Sequence, residues 1–269
     1  SKGMGLIFEV GHGTENKIPL RLIPIVSIAT WITHLFGGSA GREGVAVQLG
    51  ATISHKFNKY FDFPNKSKIF LVIGMAAGFG GLFQTPIAAL FFSLEVLVLG
   101  NLQLYALLPA IVASFVASWT SAFLGLEKFS HFVNSNLNVT PFTFVKFVIL
   151  GIIFGSVGNL FVYLQNFLKK YVAEKIKNPY YRIFVVGILL SIIFLILYKG
   201  RYTGLGTNLI ENSFSGKQIY MYDWILKLIL TTLTLSAGFQ GGEVTPLFSI
   251  GASLGAVIAV FFGLPIEFV

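Results

Sequence analysis

Six stretches of this chain run without a single Asp, Glu, Lys or Arg: Leu22–Gly41, Ile69–Leu94, Val96–Leu126, Phe147–Leu168, Ile183–Tyr198 and Val244–Ile266. Apart from the slightly short fifth, each approaches or exceeds the roughly 18 to 20 apolar residues that carry a helix across a bilayer. The pattern predicts an all-α polytopic membrane protein. Glycine-rich interruptions divide the runs further. Ile18 to Phe36 and Glu43 to His55 read as two helices broken at Gly37–Gly41. Ile69 to Gly81 and Pro86 to Leu99 read as a second broken pair, split by "GFGGLFQTP" and too short for two full spans. Trp224 to Ala237 and Pro246 to Phe262 form a third pair around "GFQGGEV". Leu102–Leu124, Pro141–Tyr171 and Arg182–Tyr198 read as longer spans, and the polar, turn-rich residues 201–216 as a loop.

Small residues recur four apart at Gly74/Gly78, Gly151/Gly155 and Gly251/Gly255. In membrane helices that spacing lets neighbouring backbones approach closely, so ordinary helix packing is the expected role. A second recurrence has a different meaning. "GREGVAVQLGA" (41–51) and "GGEVTPLFSIGA" (241–252) both run Gly-X-Glu, an apolar stretch, then Gly-Ala. This places Glu43 and Glu243 at equivalent points of two broken helices. Glycine-interrupted hydrophobic segments in both halves of a chain point to an inverted-repeat transporter.

Composition agrees with the pattern. The 269 residues are 55% hydrophobic and 11% charged, with a mean hydropathy of +0.78, whereas soluble domains carry about a quarter charged residues. The net charge of +8 comes from basic residues gathered in the breaks, such as Lys56, Lys59, Lys66 and Lys68, then Lys169, Lys170, Lys175, Lys177 and Arg182. These suit anionic lipid headgroups flanking membrane helices rather than nucleic acid. With no cysteine, disulfides and thiolate metal sites are excluded. His12, His34, His55 and His131 show no metal-binding spacing, and no cofactor is expected. The chain starts at Ser1 without a signal-peptide pattern and stops at Val269 just after an apolar run. We therefore expect a single transmembrane transport domain over 1–269, incomplete at both ends.

The chemistry that stands out sits at the helix breaks. A helix starting inside a membrane leaves backbone N–H groups without intrahelical partners, tolerated only where they line a cavity or meet a ligand. Those groups and the macrodipole favour an anion. Glu43 stands at such a start, and an intramembrane carboxylate marks a functional site by default. Deprotonated, it is itself an anion that occupies the site; protonated, it loses that attraction and admits an external anion. One glutamate can thereby couple proton and anion movement. The alternative is a plain pairing of Glu43 with Arg42 at a membrane edge. At the second break Thr245 precedes Pro246, and Pro in the first helical turn is a start signal. Thr245 is then either an N-cap or a hydroxyl donor to an anion. Ser39 and Ser54 lack an evident histidine partner.

"GREGVAVQ", "AAGFGGLFQTPIAALFFSLEV" and "GFQGGEVTPLFSIGA" resemble three signature regions of the CLC chloride channel and antiporter superfamily, in the family's order. The resemblance covers essentially the whole chain. It implies a homodimer with one anion pathway per subunit, built on an inverted repeat of broken and re-entrant helices. Details resemble the fluoride-exporting branch. Val45 stands where chloride-type members usually have Pro, and "SKGMG" at 1–5 replaces their usual GSGIP loop, with Met4 in the place of the anion-coordinating serine. "GGEVTP" resembles the fluoride branch's second motif, which gives Thr245 a role in fluoride recognition, and Glu43 matches the gating glutamate. Gly44, Val45, Pro246, Leu247 and Phe248 fall in the same two motifs and are candidate anion-site residues; Arg42 and Glu243 are candidate accessories. The inner glutamate of many chloride antiporters falls on Val96, with Glu95 just before it, so Glu43 is left to carry the coupling. The family's site tyrosine would lie beyond Val269.

The resemblance thus implies a fluoride/proton antiporter in a bacterial inner membrane, with protons, fluoride or chloride and the lipid bilayer as partners. Three rivals stand beside it: a chloride channel or chloride/proton exchanger of the same superfamily, an inactive fragment, and an intramembrane enzyme using Glu43 or Glu243 as general base. The enzyme reading lacks metal ligands or a nucleophile–base pair.

Overall fold

Breaks at glycine and proline decide where the helices of this chain begin and end. The computed structural model describes residues 3–98, 100–131, 133 and 136–269, so the first two residues of "SKGMG" lie outside the described residues. Among those described are eleven α-helices: α1 (Met4–His12), α2 (Leu22–Leu35), α3 (Glu43–Phe57), α4 (Lys66–Phe83), α5 (Pro86–Val96), α6 (Leu107–Phe123), α7 (Pro141–Lys175), α8 (Pro179–Ile196), α9 (Thr207–Phe214), α10 (Asp223–Ala237) and α11 (Val244–Phe262). Among the described residues, five segments are long and apolar enough to cross a membrane: Lys66–Phe83, Leu104–Phe123, Pro141–Lys175, Pro179–Ile196 and Val244–Phe262. The chain divides into two compact units, one of Ser1–Ile28 with Glu43–Ser130 and one of Ala29–Arg42 with His131–Val269.

In the first unit α4 is the central helix, packed against α1, α3, α5 and α6. Lipid tails are as apolar as leucine, so close backbone packing replaces the hydrophobic effect as the main source of helix association in a bilayer. The α3–α4 seam shows this directly. A methyl group on Gly74 would lie 2.3 Å from the Gly50 carbonyl oxygen, and one on Gly78 would lie 2.3 Å from that of Ala46. Only glycine permits this approach. Gly151, Gly155 and Gly251, which share the spacing, have nothing within 4 Å of such a methyl among the described residues. For these three the expectation of close packing is corrected: spacing alone does not say whether a helix lies opposite.

Around that seam Ile7, Val45, Val47, Leu71, Met75 and Leu94 form a buried apolar cluster, with Met4 and Val96 packed against it. Gln84, at φ 52°, closes α4 in the left-handed region, and Pro86 opens α5 at its first turn. The 18 residues of α4 span about 27 Å and the 11 of α5 about 16 Å. The broken pair, expected to be too short for two full spans, is therefore one nearly full span and one half.

In the second unit α10 packs against α7, α8 and α11, and α11 against α9. The Thr140 hydroxyl accepts from the Thr143 N–H at 3.2 Å and starts α7 with Pro141. Asn178 caps α8, accepting from the N–H groups of Tyr180 and Tyr181 at 2.9 and 3.4 Å. Residues 201–216, expected as a loop, contain α9. It forms because Leu209, Ile210 and Ser213 turn inward, an amphipathic turn within a polar stretch. Two buried clusters fill this unit. One is built on Phe194, Tyr202, Leu209 and Leu230, the other on Phe161, Leu228 and Ile250.

Candidate functional site

The segment between α2 and α3 is held by backbone geometry. After α2 the Gly38 N–H bonds the Thr33 carbonyl at 2.8 Å. Ser39, Ala40 and Gly41 are buried. Gly41 and Gly242 then exchange a reciprocal pair of N–H···O bonds, 2.7 Å each way, an isolated antiparallel bridge. The two glycine-rich breaks singled out by their sequence similarity are thus hydrogen-bonded partners.

The bridge also corrects their register. Counting from the paired glycines, Arg42 corresponds to Glu243 and Glu43 to Val244. Local structure agrees. Arg42 and Glu243 are both exposed, whereas Glu43 is 1% exposed and Val244 half-buried. Glu43 is the first residue of α3 and Val244 the first of α11. The two glutamates are not at equivalent places, because Arg42 separates Gly41 from Glu43 whereas Glu243 directly follows Gly242, so each helix starts two residues after its paired glycine but only the first starts on a glutamate. Thr245 is correspondingly inside the first turn of α11. Its expected N-cap role is overturned: Glu243 occupies that position, with no side-chain capping bond. Thr245 is 6% exposed.

The other candidates distribute as follows. In the first unit, Met4 opens α1 and packs on the cluster containing Val45, and Gly44 is half-buried in the first turn of α3. In the second unit, Pro246 is buried, Leu247 half-buried and Phe248 exposed within the start of α11. Each helix start presents backbone N–H groups that have no intrahelical acceptor, with the positive end of the macrodipole behind them. A carboxylate at the first position of α3, nearly withdrawn from solvent, is stabilised by that field when charged. The same field attracts any small anion.

A polar centre that the sequence reading passed over lies in the same unit as the bridge. Asp223, fully buried, accepts from Arg201 through Nε at 3.1 Å and Nη2 at 2.6 Å, from the Tyr202 hydroxyl at 2.6 Å and from the Tyr220 N–H at 2.9 Å. The carboxylate raises the Arg201 pKa. Burial, reinforced by the bond to Asp223, raises that of Tyr202. One turn further along α10, Lys227 is fully buried. It is the sole charged residue between Asp223 and Glu243, which was the available signal.

Comparison with known proteins places these features. A family model described as voltage gated chloride channel matches residues 1–268. A chloride/fluoride channel protein of Pseudomonas syringae pv. tomato is 35% identical over 98% of this chain and 60% of its own length. An H(+)/Cl(-) exchange transporter ClcA of Citrobacter koseri is 26% identical over 94% of this chain and 56% of its own. This chain thus spans about 60% of the length of the curated relatives it matches. The crystal structure of a CLC-type fluoride/proton antiporter superposes with a TM-score of 0.96 at 55% identity, covering 99% of this chain and 68% of that one. A slow cyanobacterial Cl-/H+ antiporter shares the fold at a TM-score of 0.76 and 23% identity. With the family model matching nearly end to end and the paired helix breaks in place, the chain belongs to the voltage-gated chloride channel (CLC) family.

Proposed function

We propose that this chain is the ion-translocating core of a fluoride/proton antiporter that exports fluoride across a bacterial plasma membrane, working as a homodimer and not as an enzyme. The observation that carries this reading is Glu43, 1% exposed at the first position of α3. As a carboxylate it competes with the transported anion for the field of the helix start. Protonation cancels that competition and lets an anion take its place, so each anion passage is tied to a proton event. Met4, Gly44 and Val45 at the starts of α1 and α3, and Thr245, Pro246, Leu247 and Phe248 at the start of α11, are assigned to the anion pathway. Arg42 and Glu243 are assigned accessory roles. Fluoride is small and strongly hydrated, and short-reach donors such as backbone N–H groups and the Thr245 hydroxyl offset its dehydration.

Fluoride as the ion is supported by the 55% identity to the solved fluoride/proton antiporter. A chloride channel or exchanger is the second reading, favoured by the similarity to the Citrobacter exchange transporter. Reconstituting the full-length protein in liposomes and measuring anion efflux separates them. Fluoride efflux that drives proton movement, with chloride much slower, supports the proposal; chloride carried as fast as fluoride removes it.

A further inference from the structure

Lys227 is buried to 0% exposure in α10, and the transport scheme above does not use it. Its Nζ donates to the Ser39 hydroxyl at 2.9 Å, the Tyr202 carbonyl at 3.1 Å and the Gly204 carbonyl at 2.7 Å. An ammonium has three N–H donors and a neutral amine two, so a ring of three acceptors suits the charged form. All three acceptors are neutral. The nearest carboxylate along the helix, Asp223, is already committed to Arg201 through two hydrogen bonds. Arg201 and Asp223 cancel, and the charge of Lys227 is left over. A buried cation paired only with neutral oxygens is costly to keep, and within a membrane protein such a group marks an ion pathway by default.

Its placement is specific. Ser39, which also pairs with the Thr231 hydroxyl at 2.8 Å, lies two residues before Gly41, the glycine bridged to Gly242. The Gly204 N–H donates to the Gly38 carbonyl at 3.1 Å, so the segments 38–41 and 202–204 are joined by that bond and by Lys227, which donates to both. The lysine stem runs beside α11. A methyl group on Gly206 would meet Ser249 Oγ at 2.4 Å and Lys227 Cε at 2.7 Å. Ser249 is one helical turn beyond Thr245, so the charge sits against the opening turns of α11.

We propose that Lys227 is a positioning residue for anion transport. It holds the Ser39 side chain just before Gly41, and in its ammonium form it places a positive charge, bonded to no carboxylate among the described residues, that raises the affinity of the pathway for anions. The ammonium spends its hydrogen bonds on the protein and leaves the anion free to move on. It attracts without holding, which suits a pathway that must release its ion. This rests on the fluoride/proton reading above only for the identity of the ion, because a fixed charge acts on any monovalent anion.

Four variants of the full-length protein in liposomes test it, with the apparent KM for fluoride and the maximal rate measured separately. A unit charge acting over about 10 Å at an effective dielectric near 20 changes affinity about tenfold. Lys227→Met is expected to raise KM about tenfold, Lys227→Arg to restore it, and Ser39→Ala, which removes one bond and keeps the charge, to change it less than about twofold. Ser39→Asp keeps a partner for Lys227 while cancelling its charge, and is expected to raise KM as Lys227→Met does. It carries the test if Lys227→Met fails to assemble. An unchanged KM in Lys227→Met or in Ser39→Asp overturns the proposal, as does a loss confined to the maximal rate. If the wild type carries chloride instead of fluoride, the fluoride reading fails, and the same KM pattern measured with chloride still decides the role of Lys227.

Discussion

Gly41 and Gly242 each donate a backbone N–H to the other's carbonyl at 2.7 Å, and this pair fixes the register of the two helix breaks. Buried backbone groups must find partners; here the two breaks satisfy one another. The residue beside them has no space to grow. A methyl on Gly241 would lie 2.5 Å from the Ala40 Cβ. Gly241→Ala is therefore expected to destabilise the protein by about 1–3 kcal/mol, the usual range for overpacking, and to slow anion flux. Thermal unfolding in detergent together with liposome efflux checks this. An unchanged melting temperature would show that the bridge tolerates displacement.

The α3–α4 seam makes a sharper, internally controlled prediction. Gly78→Ala places a methyl 2.3 Å from the Ala46 carbonyl oxygen, whereas Gly155→Ala meets nothing within 4 Å. The first is expected to cost about 1–3 kcal/mol by forcing two backbones apart. The second is expected to be neutral or slightly stabilising, because alanine is the better helix former. Equal melting temperatures for the two variants would contradict the packing described.

Most of the helix starts could be read in advance because the residues that make them are local. Pro86 and Pro141, and Glu43 after its glycines, sit where the charge-free pattern predicts helix openings. What escaped was non-local or short. The α1 helix lies in a mixed polar stretch with only Ile7, Val10 and Gly11 buried, and the eight residues of α9 are too few to show a period. The register of Glu243 was misread because a shared Gly-X-Glu pattern outweighs a one-residue offset to the eye, while the backbone pairing that sets the offset leaves no trace in side-chain identity. Lys227 was passed over for a related reason. Two of its three partners are carbonyl oxygens of Tyr202 and Gly204, and any sequence can supply those.

Asp223 organises one end of the second unit, and its loss is expected to be severe. Asp223→Asn leaves the half-buried Arg201 without its counter-charge and is expected to cost about 3–5 kcal/mol, the range for breaking a buried pair. Chemical denaturation in mixed micelles measures it. A cost under about 1 kcal/mol would mean that the pair behaves like an exposed one.

Tyr202 gives that same centre an alkaline limit. Burial and the bond to Asp223 raise its pKa from the ordinary value of about 10, so the fold prefers the neutral phenol. Stability from this preference is fully present below pH about 10, where the unfolded tyrosine is also neutral. Above that the unfolded chain loses its proton and the folded one does not, so the folded state becomes progressively disfavoured. Wild-type melting temperature is expected to fall more steeply above pH about 10 than that of Tyr202→Phe, with parallel curves between about pH 7 and 9. Parallel curves throughout would remove Tyr202 from the alkaline transition.

Glu43 carries the last prediction. Glu43→Gln keeps the size and hydrogen-bonding capacity of the side chain at the first position of α3 but removes both its charge and its exchangeable proton. Without the charge, the side chain no longer competes with an anion for the helix start; without the proton, anion passage has nothing to be coupled to. Fluoride efflux from liposomes is expected to continue, while the proton movement that accompanies it falls to the background of protein-free vesicles. A fluoride electrode and an internal pH dye read the two fluxes in one experiment. Proton movement retained in proportion to fluoride would transfer the coupling to another group. A loss of both fluxes together would mean that the carboxylate is needed for anion passage itself, and the competition scheme would have to be abandoned.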